Sequence, residues 1–121
     1  MISQAELHAM LDYNPETGEF RWKIYRAPNA QPGMLAGNKT SKGYHKIRVE
    51  LGISPVFAHR LAWYYVHGYM PDYSRMLEID HINGVKDDNR ISNLREVTHL
   101  ENMRAVDSSK FHKYNPNLAK G

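Results

Sequence analysis

Residues 77–102, "LEIDHINGVKDDNRISNLREVTHLEN", constrain the fold more than any other stretch of the chain. Asn83, Asn89, Asn93 and Asn102 all fall inside it. Asparagine is a poor residue for the middle of a strand or helix unless its amide has a specific task, so this segment must break into short elements joined by turns. "LEIDHI" reads as a strand, "NGVKDDN" as a polar loop, "ISNL" as a tight turn and "LREVT" as a second strand. "HLENMRAV" follows as a helix beginning near Thr98, a suitable cap. Asp80 and His81 are adjacent, so a regular strand would point them to opposite faces. Both can serve one site only where the strand ends or bends, and Asn83-Gly84 supplies such an ending. A helix laid across the two strands brings Asn102 toward Asp80. A carboxylate and an amide carbonyl, completed by waters, suit Mg²⁺. His81 beside them has the side chain best matched to taking a proton from water near neutrality.

The preceding chain is read by the same rules. Ser3-Gln4-Ala5-Glu6 fits a capping box for a helix from about residue 4 to 12, with Leu7, Met10 and Leu11 on one face. A turn ending in Gly18 leads to a strand over 19–23, with Phe20 and Trp22 on one side. Residues 26–43, rich in Gly, Pro and Asn, read as loop. "YHKIRVEL" alternates cleanly, placing Lys46 and Arg48 outward with Tyr44, and Ile47, Val49 and Leu51 inward. "SPVFA" returns as a short antiparallel strand. "HRLAWYYVHG" is a helix with Leu61, Ala62, Tyr65 and Val66 on a shared face, ended by Gly68 and Pro71. Trp22, Trp63, Tyr64 and Tyr65 read as core or as cover for the small sheet rather than as base-stacking platforms.

A chain of 121 residues is one typical domain. It has no cysteine, which excludes disulfides and thiolate zinc sites. The start "MISQAELHAML" lacks the pattern of a signal peptide, and no apolar run could span a bilayer, so a cytoplasmic protein is expected. The net charge of +3 conceals a strong polarity. Residues 20–63 hold eight Lys/Arg against one acid, a local charge of +7, whereas residues 71–101 hold seven acids against four bases, −3. Cations that hold a polyanion beside carboxylates that hold a divalent metal are what phosphodiester chemistry needs, although a solvated basic surface has the same charge pattern.

"HRLAWYYVHGYMP" followed by "LEIDHINGVKDDNRISNLREVTHLENMR" resembles the HNH endonucleases of bacteriophages and mobile introns, from about His59 to Arg104. The upstream "YNPETGEFRWK" also looks like the N-terminal part of those enzymes. The resemblance implies an α+β fold: a β-rich basic N-terminal module (1–70), a ββα-metal nuclease unit (71–106) and a polar tail (107–121). It implies metal-dependent hydrolysis of double-stranded DNA, with a nick leaving 5′-phosphate and 3′-hydroxyl ends and Mg²⁺, or another divalent ion such as Mn²⁺, as cofactor. His81 matches the general base, Asp80 the metal-binding carboxylate and Asn102 the metal ligand from the helix. Asn93 matches the asparagine that hydrogen-bonds and orients the catalytic histidine.

Lys46 and Arg48 are the expected phosphate contacts on the outer strand face, and Arg90 and Arg95 flank the site as anchors for the DNA backbone. Arg60 serves either phosphate contact or packing, and His59 reads as structural. Asn89 and Asn83-Gly84 read as turn residues. His99, three residues before Asn102, shares a similar helix face and either approaches the site or stays at the surface. Longer relatives continue into further DNA-reading modules, whereas this sequence ends at Gly121, leaving recognition to the basic N-terminal strands or to phosphate contacts alone. A monomer suffices for a nick. A DNA-binding module that keeps the fold without cleaving is the competing reading, and an RNA-directed nuclease a third.

Overall fold

The structure, a computed structural model, describes residues 2–103. Residues 104–106 of the expected nuclease unit and the 107–121 tail lie outside the described residues.

Ser3 and Glu6 exchange both bonds of a capping box, Glu6 N–H to Ser3 Oγ at 3.1 Å and Ser3 N–H to Glu6 Oε1 at 2.9 Å, and start helix α1 (Gln4–Met10). The helix ends two residues before the expected Asp12, because Leu11 onward is drawn into a sheet. Strand β1 (Leu11–Tyr13) pairs antiparallel with β2 (Phe20–Trp22). The pleat buries Leu11, Tyr13, Phe20 and Trp22 and leaves Asp12 and Arg21 outside. Gly18 in the intervening turn has φ +80°, and a Cβ there would stand 2.5 Å from the Asn89 carbonyl carbon. The hairpin therefore presses on the later loop through a position that only glycine can fill.

The 26–43 stretch is not entirely loop. It contains β3 (Asn38–Lys39) and a bridge between Arg21 and Leu35, both too short to show a period in sequence. A three-stranded antiparallel sheet follows in the order β3, β4 (His45–Ile47), β5 (Val56–Phe57). Ile47 and Val49 are buried as the alternation requires, but Leu51 is 83% exposed. The strand has ended before it, and the chain turns through Gly52 at φ +81°.

Helix α2 (Ala58–His67) buries Leu61 and Ala62 completely. Val66, expected on that face, is exposed, since at 3.6 residues per turn it lies about 140° around the axis from Leu61. Gly68, left-handed at φ 83°, stops the helix. Tyr64 and Tyr65 tie α2 to the N-terminus by donating to the carbonyls of Ile2 and Leu11.

After a 3₁₀ turn (Tyr73–Arg75), β6 (Leu77–His81) pairs antiparallel with β7 (Leu94–Thr98), from Leu77 opposite Thr98 to His81 opposite Leu94. A helix, α3, begins at residue 99 and is described to residue 103. Thr98 and Glu101 form a second capping box, with bonds of 3.1 and 2.8 Å. Ile79 and Leu94 join the same core as Leu7, Trp22, Ile47 and Leu61, so the packing is continuous across residue 70. Among the described residues, no helix is long and apolar enough to cross a membrane.

Candidate active site

Strand β6 ends where Gly84, at φ +77°, turns the chain and donates its N–H to the His81 carbonyl at 2.9 Å. Asp80 and His81, the last two residues of β6, both border one cleft, about 680 Å³ in volume. Tyr44, Phe57 and His59 contribute to its wall from the preceding sheet and helix; Glu78 comes from β6, Lys86 from the loop, and His99 and Asn102 from α3.

His81 is nearly buried, and its Nε2 lies 2.9 Å from Asn89 Oδ1. An amide oxygen only accepts, so Nε2 carries the hydrogen and the lone pair of the neutral ring sits on Nδ1. The His59 ring packs edge-on against His81, with centroids 4.8 Å apart. Burial, reinforced by the neighbouring His81 and Arg60, pushes the His59 pKa down to about 3, so His59 is neutral at ordinary pH.

The partner of His81 is thus Asn89, not the expected Asn93. Asn93 instead braces the loop: its Oδ1 accepts from Asn83 N–H at 3.0 Å, and its Nδ2 donates to Asn83 Oδ1 and to the Asp88 carbonyl. Asn89, read from sequence as a turn residue, is 3% exposed, and its own carbonyl accepts from the Tyr13 hydroxyl. Its turn propensity masks this role in the sequence. Its amide reaches the ring because the loop folds back beneath the end of β6.

Asp80 faces Arg95 across the ribbon, with both Arg95 Nε and Nη2 on Oδ2 at 3.0 and 2.9 Å. Among the described residues, Oδ1 makes no hydrogen bond. Asn102 donates its Nδ2 to Glu78 Oε1 at 2.7 Å, and His99 Nδ1 donates to the other Glu78 oxygen. Burial pushes the Glu78 carboxyl up, but the bonds from Asn102 and His99 outweigh it and leave its pKa below the usual value. The one sequence sign of Glu78 is its place two residues before Asp80, on the same strand face.

The cations are placed less freely than their sequence positions imply. Arg90 binds Asp88 through Nε and Nη2 at 2.7 Å each, and these bonds chiefly hold the Asp88 carboxyl below its ordinary pKa against a smaller effect of burial. Arg95 is held by Asp80. Arg48 donates to the Ile53 carbonyl, and Lys46 lies over the Phe57 ring at 4.5 Å. Arg60 lies 4.2 Å over Tyr73, with its Nε buried and unpartnered among the described residues. Lys86 lies in an acidic stretch of sequence, beside Asp87 and Asp88. It lines the cleft beside Tyr44, with its Nζ on the Lys42 carbonyl at 3.1 Å.

Two antiparallel strands, a braced loop and a capped helix, with Asp80, His81 and Asn102 on one cleft, form a ββα unit. Residues 56–104 match the family model described as HNH endonuclease. The chain is similar in structure to the HNH homing endonuclease I-HmuI, solved in a study of its DNA binding and cleavage: the TM-score is 0.57 at 25% sequence identity, with 92% of this chain covered. This chain spans 58% of the length of that one. No curated protein matches in a sequence search. Together these similarities support assignment of the chain to the HNH family.

HNH nucleases generally use a divalent metal. Among the described residues, no three His, Asp or Glu side chains gather into a protein-only cage. The donors in the cleft are instead one carboxylate, Asp80, and one amide, Asn102, whose Nδ2 is committed to Glu78 and whose Oδ1 makes no hydrogen bond among the described residues. That sparse oxygen set fits a hard cation that keeps much of its water and shares the site with phosphate.

Proposed function

We propose that this chain is a metal-dependent DNA endonuclease that hydrolyses phosphodiester bonds and nicks duplex DNA, leaving 5′-phosphate and 3′-hydroxyl ends. The observation that carries this reading is the His81–Asn89 hydrogen bond in the cleft that Asp80 and Asn102 also line. Asn89 fixes the His81 tautomer, so Nδ1 takes the proton from a water attacking the scissile phosphate. Asp80 and Asn102 would hold the divalent cation, Mg²⁺ or Mn²⁺, through their oxygens. When bound, that ion supplies charge stabilisation at the phosphate and at the departing 3′ oxygen.

Asn93 acts one step back, by keeping the loop that carries Asn89 in place. Arg95 fixes the rotamer of Asp80 and offsets its charge beside an incoming phosphate. Lys46, Arg48, Arg60 and Lys86 lead the polyanion toward the cleft, while Arg90 shapes the loop through Asp88. DNA binding by I-HmuI, together with the +7 charge of residues 20–63, supports duplex DNA as the partner.

Supercoiled-plasmid nicking, with and without Mg²⁺, tests this function by comparing the native chain with His81→Ala. Mg²⁺-dependent conversion to open circles that vanishes in the variant is the expected result. Binding of the plasmid without any cut, in Mg²⁺ and in Mn²⁺, would leave a DNA-binding module that retains the fold.

A further inference from the structure

The geometry points to Glu78 as the positioning residue that sets which end of the Asn102 amide faces the cleft, and through it the affinity of the site for a divalent cation. This inference rests on the proposed metal site and extends it to a residue that need not touch the ion.

A terminal amide can turn over at little intrinsic cost, because its oxygen and nitrogen ends have nearly the same shape. For a cation site the two orientations are opposites: the oxygen binds the ion and the NH₂ group repels it. Something nearby must break the tie. Glu78 Oε1 lies 2.7 Å from Asn102 Nδ2, and an ionised carboxylate can only accept. It therefore selects the orientation in which the amide nitrogen faces the Glu78 carboxylate and leaves the oxygen as the end free to meet a cation. His99 donates to the second carboxylate oxygen, which keeps Glu78 turned toward α3. The Thr98–Glu101 capping box closes the first turn of α3, and His99 and Asn102, three residues apart on that turn, reach one carboxylate together. Partners of this kind, bonded to a ligand rather than to the metal, commonly change metal affinity 10–100-fold.

The decisive variant is Glu78→Gln in the full chain. The substituted amide keeps the size of the side chain and a hydrogen bond to Asn102, but it presents either an oxygen or an NH₂ group, so the Asn102 amide is free to turn. A second variant, Glu78→Gln with Asn102→Asp, restores an oxygen at position 102 whichever way that group turns. Mn²⁺ alone is the probe, followed by electron paramagnetic resonance of the free ion and by calorimetry, without DNA.

The native chain should bind Mn²⁺, Glu78→Gln should bind it roughly tenfold or more weakly with an unchanged circular dichroism spectrum, and the double variant should recover most of the loss. Equal affinity in the native chain and Glu78→Gln would overturn the role given to Glu78 while leaving the nuclease reading intact. A weakened single variant that Asn102→Asp does not rescue would reduce Glu78 to holding α3 in place, and would also overturn the inference. A native chain that binds no Mn²⁺ would overturn the proposed metal site and this inference together.

Discussion

His81 Nε2 and Asn89 Oδ1 stand 2.9 Å apart, and the Asn89 carbonyl in turn accepts from the Tyr13 hydroxyl. The proposed base is thus braced by an amide that is itself braced by the N-terminal hairpin. Removing the amide should release the ring. Asn89→Ala is expected to lower the nicking rate at least tenfold while leaving plasmid affinity near native. Leaving a buried imidazole N–H unpaired should cost about 1–3 kcal/mol of stability. Nitrogen NMR of the imidazole, with single-turnover nicking, checks both halves. A single fixed tautomer surviving in the variant would contradict the assignment.

Asn93 should behave differently, because its side chain joins Asn83 and Asp88 and not the ring. Asn93→Ala removes three hydrogen bonds from one loop. It is expected to destabilise the chain by about 2–3 kcal/mol, at roughly 1 kcal/mol per bond. Urea unfolding should show a larger shift in midpoint than Asn89→Ala gives.

Two glycines with similar backbone angles separate strain from crowding. Gly84 has nothing within 4 Å of a built Cβ, so Gly84→Ala should cost only the left-handed penalty, about 1–2 kcal/mol. Gly18→Ala adds a clash 2.5 Å from the Asn89 backbone. It should destabilise more than Gly84→Ala and slow nicking as well, since relief of the clash moves Asn89. Equal effects of the two substitutions on thermal midpoint and rate would rule out the proposed coupling of hairpin to site.

The pKa of His59 is about 3 in the folded chain, against an ordinary value of 6.5. Between those values the unfolded chain binds the additional proton, so stability contributed by neutral His59 is complete above pH 6.5 and is lost as pH falls below it. The loss approaches about 1.4 kcal/mol per pH unit. His59→Phe should flatten urea midpoints between about pH 6 and pH 4 relative to the native chain. A native curve with no slope over that interval would contradict the burial of a neutral ring.

Lys86 borders the cleft and carries no carboxylate partner among the hydrogen bonds and ion pairs of the described residues, whereas Arg90 is bound to Asp88. Lys86→Ala should weaken duplex binding and lower the slope of log affinity against log salt by about one. Arg90→Ala should act mainly on stability, because it removes the cation that neutralises Asp88 and leaves that carboxylate with Asn83 Nδ2 as its side-chain donor. Fluorescence anisotropy across a salt series distinguishes them.

Much of this architecture is legible in the chain. The Asn-Gly turn, the period-two runs on either side of it and the Thr98 cap dictate strand, loop, strand and helix, and each forms where local chemistry places it. The site is legible less evenly. Asp80, His81 and Asn102 meet at the cleft because strand ending and helix start are local properties. The choice between Asn89 and Asn93 as partner of His81 depends on how the 82–90 loop folds back, and spacing along the chain carries no record of that. Charges mislead for a related reason: counting Arg90 and Arg95 as available cations ignores Asp88 and Asp80, which reach them through the loop turn and across the ribbon. Leu51 illustrates the same limit, since its alternation continues in letters after the strand has ended in space.

Gly18 has a consequence for protein engineering. The stretch that matches the family model begins at residue 56, yet the backbone carrying Asn89 rests on a turn near residue 18. A chimera assembled by grafting residues 56–104 onto a foreign DNA-binding scaffold would leave that backbone without its backstop. The transplantable module therefore begins with the first hairpin, and its portable boundary lies well upstream of its recognisable one.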